Sequence, residues 1–236
     1  MTESQRGKVA WIHGYPCSGK TFYTDYMSTM GWTMVDGDWP LYTGNPDQSK
    51  FFMFICMGIF QEKAGHPVPP EQKQGLTSHY EDLIQKADAL AAQGKDVCVS
   101  FVAYHQEYRD LVRAKIPDVI FIRINVDKPQ LVDRCFVRMA ALTQSTGKTL
   151  KEQWEDPNPM AAGLRAVYGE EYSEERYKKY LLDNWYSNYD ETAEHEKSYM
   201  HDIENSAYSA DGIQQLRTIL GATGEFEYKP EEIQGI

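Results

Sequence analysis

An α/β fold, with a parallel sheet sandwiched by helices, is what the 236-residue sequence predicts, on three observations. Apolar runs of strand length alternate with stretches of helical periodicity through the first 145 residues. The first such run passes directly into a glycine-bearing loop that opens a helix. Strand, loop, helix and second strand together take about 30 residues, the size of a βαβ unit.

The elements follow in order. KVAWIH at 8–13 reads as a buried strand, and FYTDYMSTMG as a helix ending at Gly31. WTMVDGD at 32–38 is a second strand that breaks at Gly37. Residues 39–50, rich in Pro, Gly, Asn and Asp, read as a loop, and 51–64 as a buried helix. GHPVPPEQ is a second break. Residues 76–93 carry Leu83, Ile84, Ala87, Leu90 and Ala91 at helical spacing, with Gly94 placed to end the helix. KDVCVSFV at 95–102 is a third strand, 105–115 a helix, DVIFIRINV at 118–126 a fourth strand and 128–145 another helix. From about 140 to 195 the chain turns rich in Tyr, Trp and acids and poor in Val and Ile. That stretch reads as short helices and loops inserted into a single domain spanning 1–236. KSYMHDI at 197–203 is a weak last strand and DGIQQLRTIL a closing helix. The acidic tail, GEFEYKPEEIQGI, reads as mobile.

Composition narrows the function classes. Lys plus Arg is 24 against 35 Asp plus Glu, a formal net charge of −11. That argues against a broad nucleic-acid footprint, which needs clustered basic charge, but not against a local basic pocket for a small anion. Cys17, Cys56, Cys98 and Cys135 form no CxxC pair and suggest neither zinc nor a disulfide framework. Reduced thiols, no signal-peptide core and no apolar run of membrane-spanning length point to a cytoplasmic protein without a membrane partner. The histidines, among them His66, His79, His105, His195 and His201, are not at metal-binding spacing.

GYPCSGKT at 14–21 carries the chemistry. Gly14, Gly19, Lys20 and Thr21 fit G-x-x-x-x-G-K-[ST] without a gap, and Cys17 and Ser18 complete the loop. Glycines let the backbone curl so that amide groups point inward at phosphate oxygens. The following helix aims its positive end at the same place. Lys20 supplies charge for the β and γ phosphates, and Thr21 a hydroxyl for Mg²⁺. The loop follows an apolar strand and opens a helix, which is the context the motif requires. A second GKT, at 147–149, has neither preceding strand nor partner glycine and reads as a surface turn.

The sequence shows no NKxD and no well-placed DxxG, so a switch GTPase is disfavoured. The third strand does not end in an acidic residue, as an ATPase strand would. The acids lie instead at Asp36-Gly37-Asp38, at the carboxyl edge of the second strand, where ligands of open α/β folds bind. One carboxylate would hold the metal's water shell or take a hydroxyl proton, and the other would grip substrate hydroxyls. The competing reading is an Asp-Gly-Asp turn that satisfies its own backbone.

Three stretches resemble the gluconokinase and shikimate kinase branch of the P-loop kinases: GYPCSGKT, VDGD at 35–38, and YRDLVR at 108–113 with the following PDVIFIRINVDKPQLVDRCFVR. HDIENSA at 201–207 resembles the family's last strand and adenine-side loop more weakly. The resemblance implies a P-loop kinase fold with an enlarged helical lid, ATP and Mg²⁺ as cofactors, and a small-molecule hydroxyl acceptor. It implies that Lys20 and Thr21 hold phosphates and metal, and that Asp36 is the metal-side or base carboxylate. By the same token Asp38 and Arg109 would bind the acceptor, while Arg134 and Arg138 would reach the transferring phosphate from the lid. The family's NDDDRxPWL-like segment has no counterpart in AGHPVPPEQKQGLTSHY, so gluconate itself does not carry over. A sugar acid or polyol is the expected acceptor. A nucleoside or nucleotide stacking on Trp39 or Tyr42 is a second reading, and a nucleotide-binding regulatory module without turnover a third. The 140–195 stretch is expected either to cap the acceptor or to serve packing or a dimer contact, and the protein to be a monomer or homodimer.

Overall fold

Residues 5–63, 68–103, 105–145, 147–186, 192–205 and 210–223 are described by a computed structural model. His66, Tyr189, the last two residues of HDIENSA and the acidic tail lie outside them. Two compact units divide the chain: 1–125 with 189–236, and 126–188.

The first unit is built on five strands: β1 Val9–His13, β2 Thr33–Asp36, β3 Val97–Ser100, β4 Ile120–Asn125 and β5 Met200–Glu204. They pair in the order β2-β3-β1-β4-β5, every neighbour parallel. The continuous apolar runs of β1 and β3 reflect this: a parallel sheet is covered on both faces, so successive residues are all buried. The period-two alternation then sorts them between two cores. Val9, Trp11, Val97, Val99 and Phe121 pack in one core, together with Leu83, Ala87 and Ala91 of α3 (Pro70–Ala92) and Val112 of α4 (Gln106–Lys115). Ala10, Ile12, Cys98 and Ile122 pack in the other, with Phe22 and Met27 of α1 (Lys20–Thr29) and Ile213 and Leu216 of α9 (Ala210–Leu220). The parallel sheet between helices is the architecture expected from the sequence.

The structure departs from the sequence reading mainly in the polar breaks. Within 39–50 lie a 3-10 turn, Trp39–Leu41, and the start of α2, Pro46–Lys63. Asn45 Oδ1 accepts from the amides of Asp47 (3.0 Å) and Gln48 (3.3 Å), and Pro46 stands at the first helical position. Proline fits there because its missing N–H would have had no partner. Helix α3 likewise starts at Pro70, inside the second expected break. The prolines mark helix beginnings here, not loops.

The second unit holds α5 (Lys128–Ser145), α6 (Leu150–Trp154), α7 (Pro159–Tyr168) and α8 (Glu174–Trp185). Its centre is aromatic. Trp154, Tyr177 and Tyr186 are buried, and the Trp154 ring meets those of Tyr172 and Tyr177 at 6.2 and 6.1 Å. The Trp154 indole N–H donates to Gly169 O, and the Tyr186 hydroxyl to Leu131 O, both at 3.3 Å. The second GKT is a turn, and its Thr149 caps α6 in a capping box with Glu152. Among the described residues no helix is long and apolar enough to cross a membrane.

Candidate active site

The phosphate-loop motif occupies the connection between β1 and α1. Its backbone is unusual where the motif demands it. Cys17 has φ 62°, in the left-handed region that residues with side chains seldom adopt, and Gly19 has φ 94°. Gly14 admits no side chain: a Cβ there would lie 2.6 Å from Ile124 O and 2.9 Å from Ser18 Oγ. Ser18 is fully buried, and its Oγ makes no hydrogen bond within the described residues. Lys20 curls back so that Nζ donates to the carbonyls of Gly14 and Tyr15, each at 3.1 Å. Thr21 is exposed.

Asp36 and Asp38 leave the same edge of the sheet. In register, Asp36 pairs with Ser100 and Ser100 with Ile12, so Asp36 is level with the residue two before Gly14. Two strand spacings separate them, roughly 10 Å. Asp36 and Asp38 are half-buried, and Asp36 Oδ1 accepts from the Asp38 amide at 2.9 Å. The self-satisfied turn weighed from the sequence therefore exists, and it orients Asp36. The glycine between them is required by contact: a Cβ on Gly37 would lie 2.4 Å from the Phe101 ring. The Gly37 amide donates to Ser100 O at 2.8 Å, and its carbonyl meets His79 Nε2 at 2.9 Å. His79 stands edge-on to Phe52 and Phe101 at 5.1 and 4.9 Å. Burial holds its pKa below the usual histidine value, so the neutral ring donates from Nε2 to Gly37 O. The Cys56 thiol, half-buried and near the Asp38 charge, is pushed up to about 12 by desolvation and stays protonated.

At the end of β1, His13 is fully buried, edge-on to Phe121. Burial, and then the nearby charges of Arg109, Arg123 and Lys20, hold its pKa well below the ordinary value. A neutral imidazole thus lies directly under the loop.

Arg109 is placed differently from what the resemblance implies. It is neither on a solvated helix face nor open to an acceptor. It is fully buried, with Nε and Nη2 on the two oxygens of Glu196 at 2.6 and 2.9 Å and Nη1 on Ala103 O at 3.0 Å. Glu196 itself is buried and also accepts from the Ala193 amide at 2.7 Å. A guanidinium so enclosed would have to break a bidentate pair to reach a ligand. Arg113 extends over the Tyr199 ring, 4.5 Å from its centroid. Arg134 and Arg138 lie on α5 in the second unit, half-buried and exposed respectively.

The sequence reading missed Glu196, His79 and Asn205. Glu196 lies 87 residues from its partner, and no local pattern links them. Asn205, immediately after β5, donates from Nδ2 to Ser18 O at 2.7 Å and accepts from the Tyr23 hydroxyl at 3.1 Å. The weak match at HDIENSA was the only signal pointing there.

No family model matches the chain, and no curated protein matches it in sequence. Solved structures do match in shape. A gluconokinase from Sinorhizobium meliloti 1021 is 15% identical, with 92% of this chain and 93% of that one covered and a TM-score of 0.50. A sugar kinase from Janibacter sp. HTCC2649 is 14% identical, with 97% and 99% covered and a TM-score of 0.51. At such identity the likeness is one of fold, and it extends over nearly the whole length of both chains: this protein has the P-loop kinase fold.

Proposed function

We propose that this protein is an ATP-dependent kinase that phosphorylates a hydroxyl of a small metabolite. The observation that carries this reading is the pairing of the phosphate-loop motif with Asp36 and Asp38 on one edge of a parallel sheet, about two strand spacings apart. The loop suits a polyphosphate. Its curled backbone, the side-chain-free Gly14, the buried Ser18 hydroxyl and the Lys20 ammonium are the donors that phosphate oxygens need. On binding, Lys20 would exchange two loop carbonyls for phosphate oxygens.

Thr21 and Asp36 would hold Mg²⁺, which supplies neutralisation of the charge that builds on the phosphate oxygens. Among the described residues no group of three or more His, Cys, Asp or Glu could hold a metal ion by itself. That suits an ion kept mainly by phosphates and water. Asp38 would orient the acceptor hydroxyl, and Asp36 would take its proton or anchor the metal's water. Arg109 would act through packing, not through substrate contact.

A sugar acid or polyol is the acceptor class proposed first, since paired carboxylates accept hydrogen bonds from vicinal hydroxyls. The second is a nucleoside, which Trp39 supports. That ring is 37% exposed beside Asp38 and already carries the Lys86 ammonium 4.6 Å above it. ADP release from Mg-ATP across sugar acids, polyols and nucleosides tests the reading. One acceptor should raise turnover far above the ATP-only rate. Asp36→Asn should then lower kcat by roughly 100-fold or more with ATP affinity kept, and Lys20→Ala should lose turnover with the fold intact. ATP binding without any acceptor effect would favour the regulatory module.

A further inference from the structure

We propose that Asn205 is a positioning residue of the phosphate loop, whose side-chain amide fixes the peptide plane between Ser18 and Gly19 and so turns the Gly19 N–H toward the bound phosphates. The inference rests on the nucleotide reading above and adds a residue far from the motif.

The hydrogen-bond chemistry leaves one arrangement. Ser18 O can only accept, so the amide nitrogen of Asn205 must face it, at 2.7 Å. The carboxamide oxygen then faces the Tyr23 hydroxyl, which donates across 3.1 Å. The Asn205 backbone is fixed too, its amide donating to Asn125 O at 2.8 Å at the end of β4. Asn205 is 1% exposed, and Ser18 and Tyr23 are fully buried. Water therefore does not compete for these bonds, and each is worth more than it would be at the surface. Room for the Tyr23 hydroxyl comes from α9: a Cβ on Gly212 would lie 2.3 Å from it. Asn205 thus ties its neighbours together: directly after β5, its backbone amide holds the end of β4, and its side chain holds the phosphate loop and the Tyr23 hydroxyl of α1, for which Gly212 of α9 leaves room.

The consequence for the loop is stereochemical. No cis peptide occurs among the described residues, so the carbonyl of Ser18 and the N–H of Gly19 point in opposite directions. Holding the carbonyl against Asn205 directs the N–H away from Asn205. Gly19 has φ 94°, and without a Cβ it would tolerate the opposite peptide orientation as readily. That orientation would aim a carbonyl oxygen, not an N–H, at an anion. Asn205 selects between the two.

Asn205→Asp is the test, because it keeps the shape and the bond from Tyr23 but sets a carboxylate oxygen against Ser18 O. Binding of a non-hydrolysable ATP analogue is measured by calorimetry, with circular dichroism reporting the folded fraction. Affinity per folded molecule should fall roughly 10- to 100-fold. Tyr23→Phe, which leaves Ser18 bonded but frees the amide to rotate, should cost about 2- to 5-fold in the same direction. It carries the test alone if the aspartate variant does not fold. Wild-type affinity in both variants, or a loss that merely follows the folded fraction, would overturn the assignment while leaving the nucleotide reading in place. Absence of binding by the wild-type protein would overturn the nucleotide reading, and this inference with it.

Discussion

Single residues show how tightly the carboxyl edge of the sheet is assembled. Gly37 has no space for a methyl group, since Phe101 stands 2.4 Å from where its Cβ would be. Gly37→Ala should destabilise the protein by about 1–3 kcal/mol through overpacking, read from urea unfolding. A variant as stable as wild type would mean the Phe101 ring moves freely. His13 links the same edge to pH. Its native pKa is held well below that of an unfolded histidine, about 6.5. As pH falls through about 6.5 the unfolded chain therefore takes up a proton that the native chain refuses. Stability is full above that value and declines below it, by up to about 1.4 kcal/mol per pH unit for one histidine. His79, also lowered, adds to the decline. Urea midpoints between pH 7 and 5 should fall more steeply for wild type than for His13→Gln, and equal slopes would refute the role of His13. Of these residues, the phosphate loop and the two aspartates were legible in the sequence because their chemistry is encoded within eight or fewer consecutive positions. His79 was not, because its partner is a backbone carbonyl 42 residues away.

At the scale of elements, periodicity carried the reading and punctuation misled it. Strands β1, β3 and β4 and helix α5 stand where their apolar spacing put them. The proline- and asparagine-rich segments were read as loops, yet Pro46 and Pro70 open α2 and α3. The same residue types suit turns and helix N-termini, and only the packing of the following face decides. The joint between α4 and the 3-10 turn Glu194–Ser198 was illegible for another reason. It is a buried ion pair, Arg109 with Glu196, and charged residues read from sequence default to the surface. Arg109→Met should cost about 3–5 kcal/mol, because it strands a buried carboxylate. Adding Glu196→Gln should recover part of the loss. A loss under about 1 kcal/mol in the single variant would show that Glu196 finds water or another donor.

For the whole molecule, the division into two units recasts the aromatic stretch. The sequence left its Tyr and Trp residues between an acceptor cap and a packing role. Trp154, Tyr177 and Tyr186 form the buried centre of the 126–188 unit itself. Trp154→Ala should remove about 3–5 kcal/mol of packing. Under limited proteolysis its first cuts should fall between 126 and 188, and first cuts in the sheet unit would contradict an independent centre. The sheet unit itself is closed by a late part of the chain. Ser18 and Asn205 are hydrogen-bonded across 187 positions of sequence. A nascent chain therefore carries the loop motif long before the residue that braces it, which comes only after some 185 further residues have been added and β5 has docked against β4. Loop closure over such a span is slow. Nucleotide affinity should consequently arrive late during translation and all at once, giving a ribosome-bound intermediate little means of capturing ATP before the fold is finished.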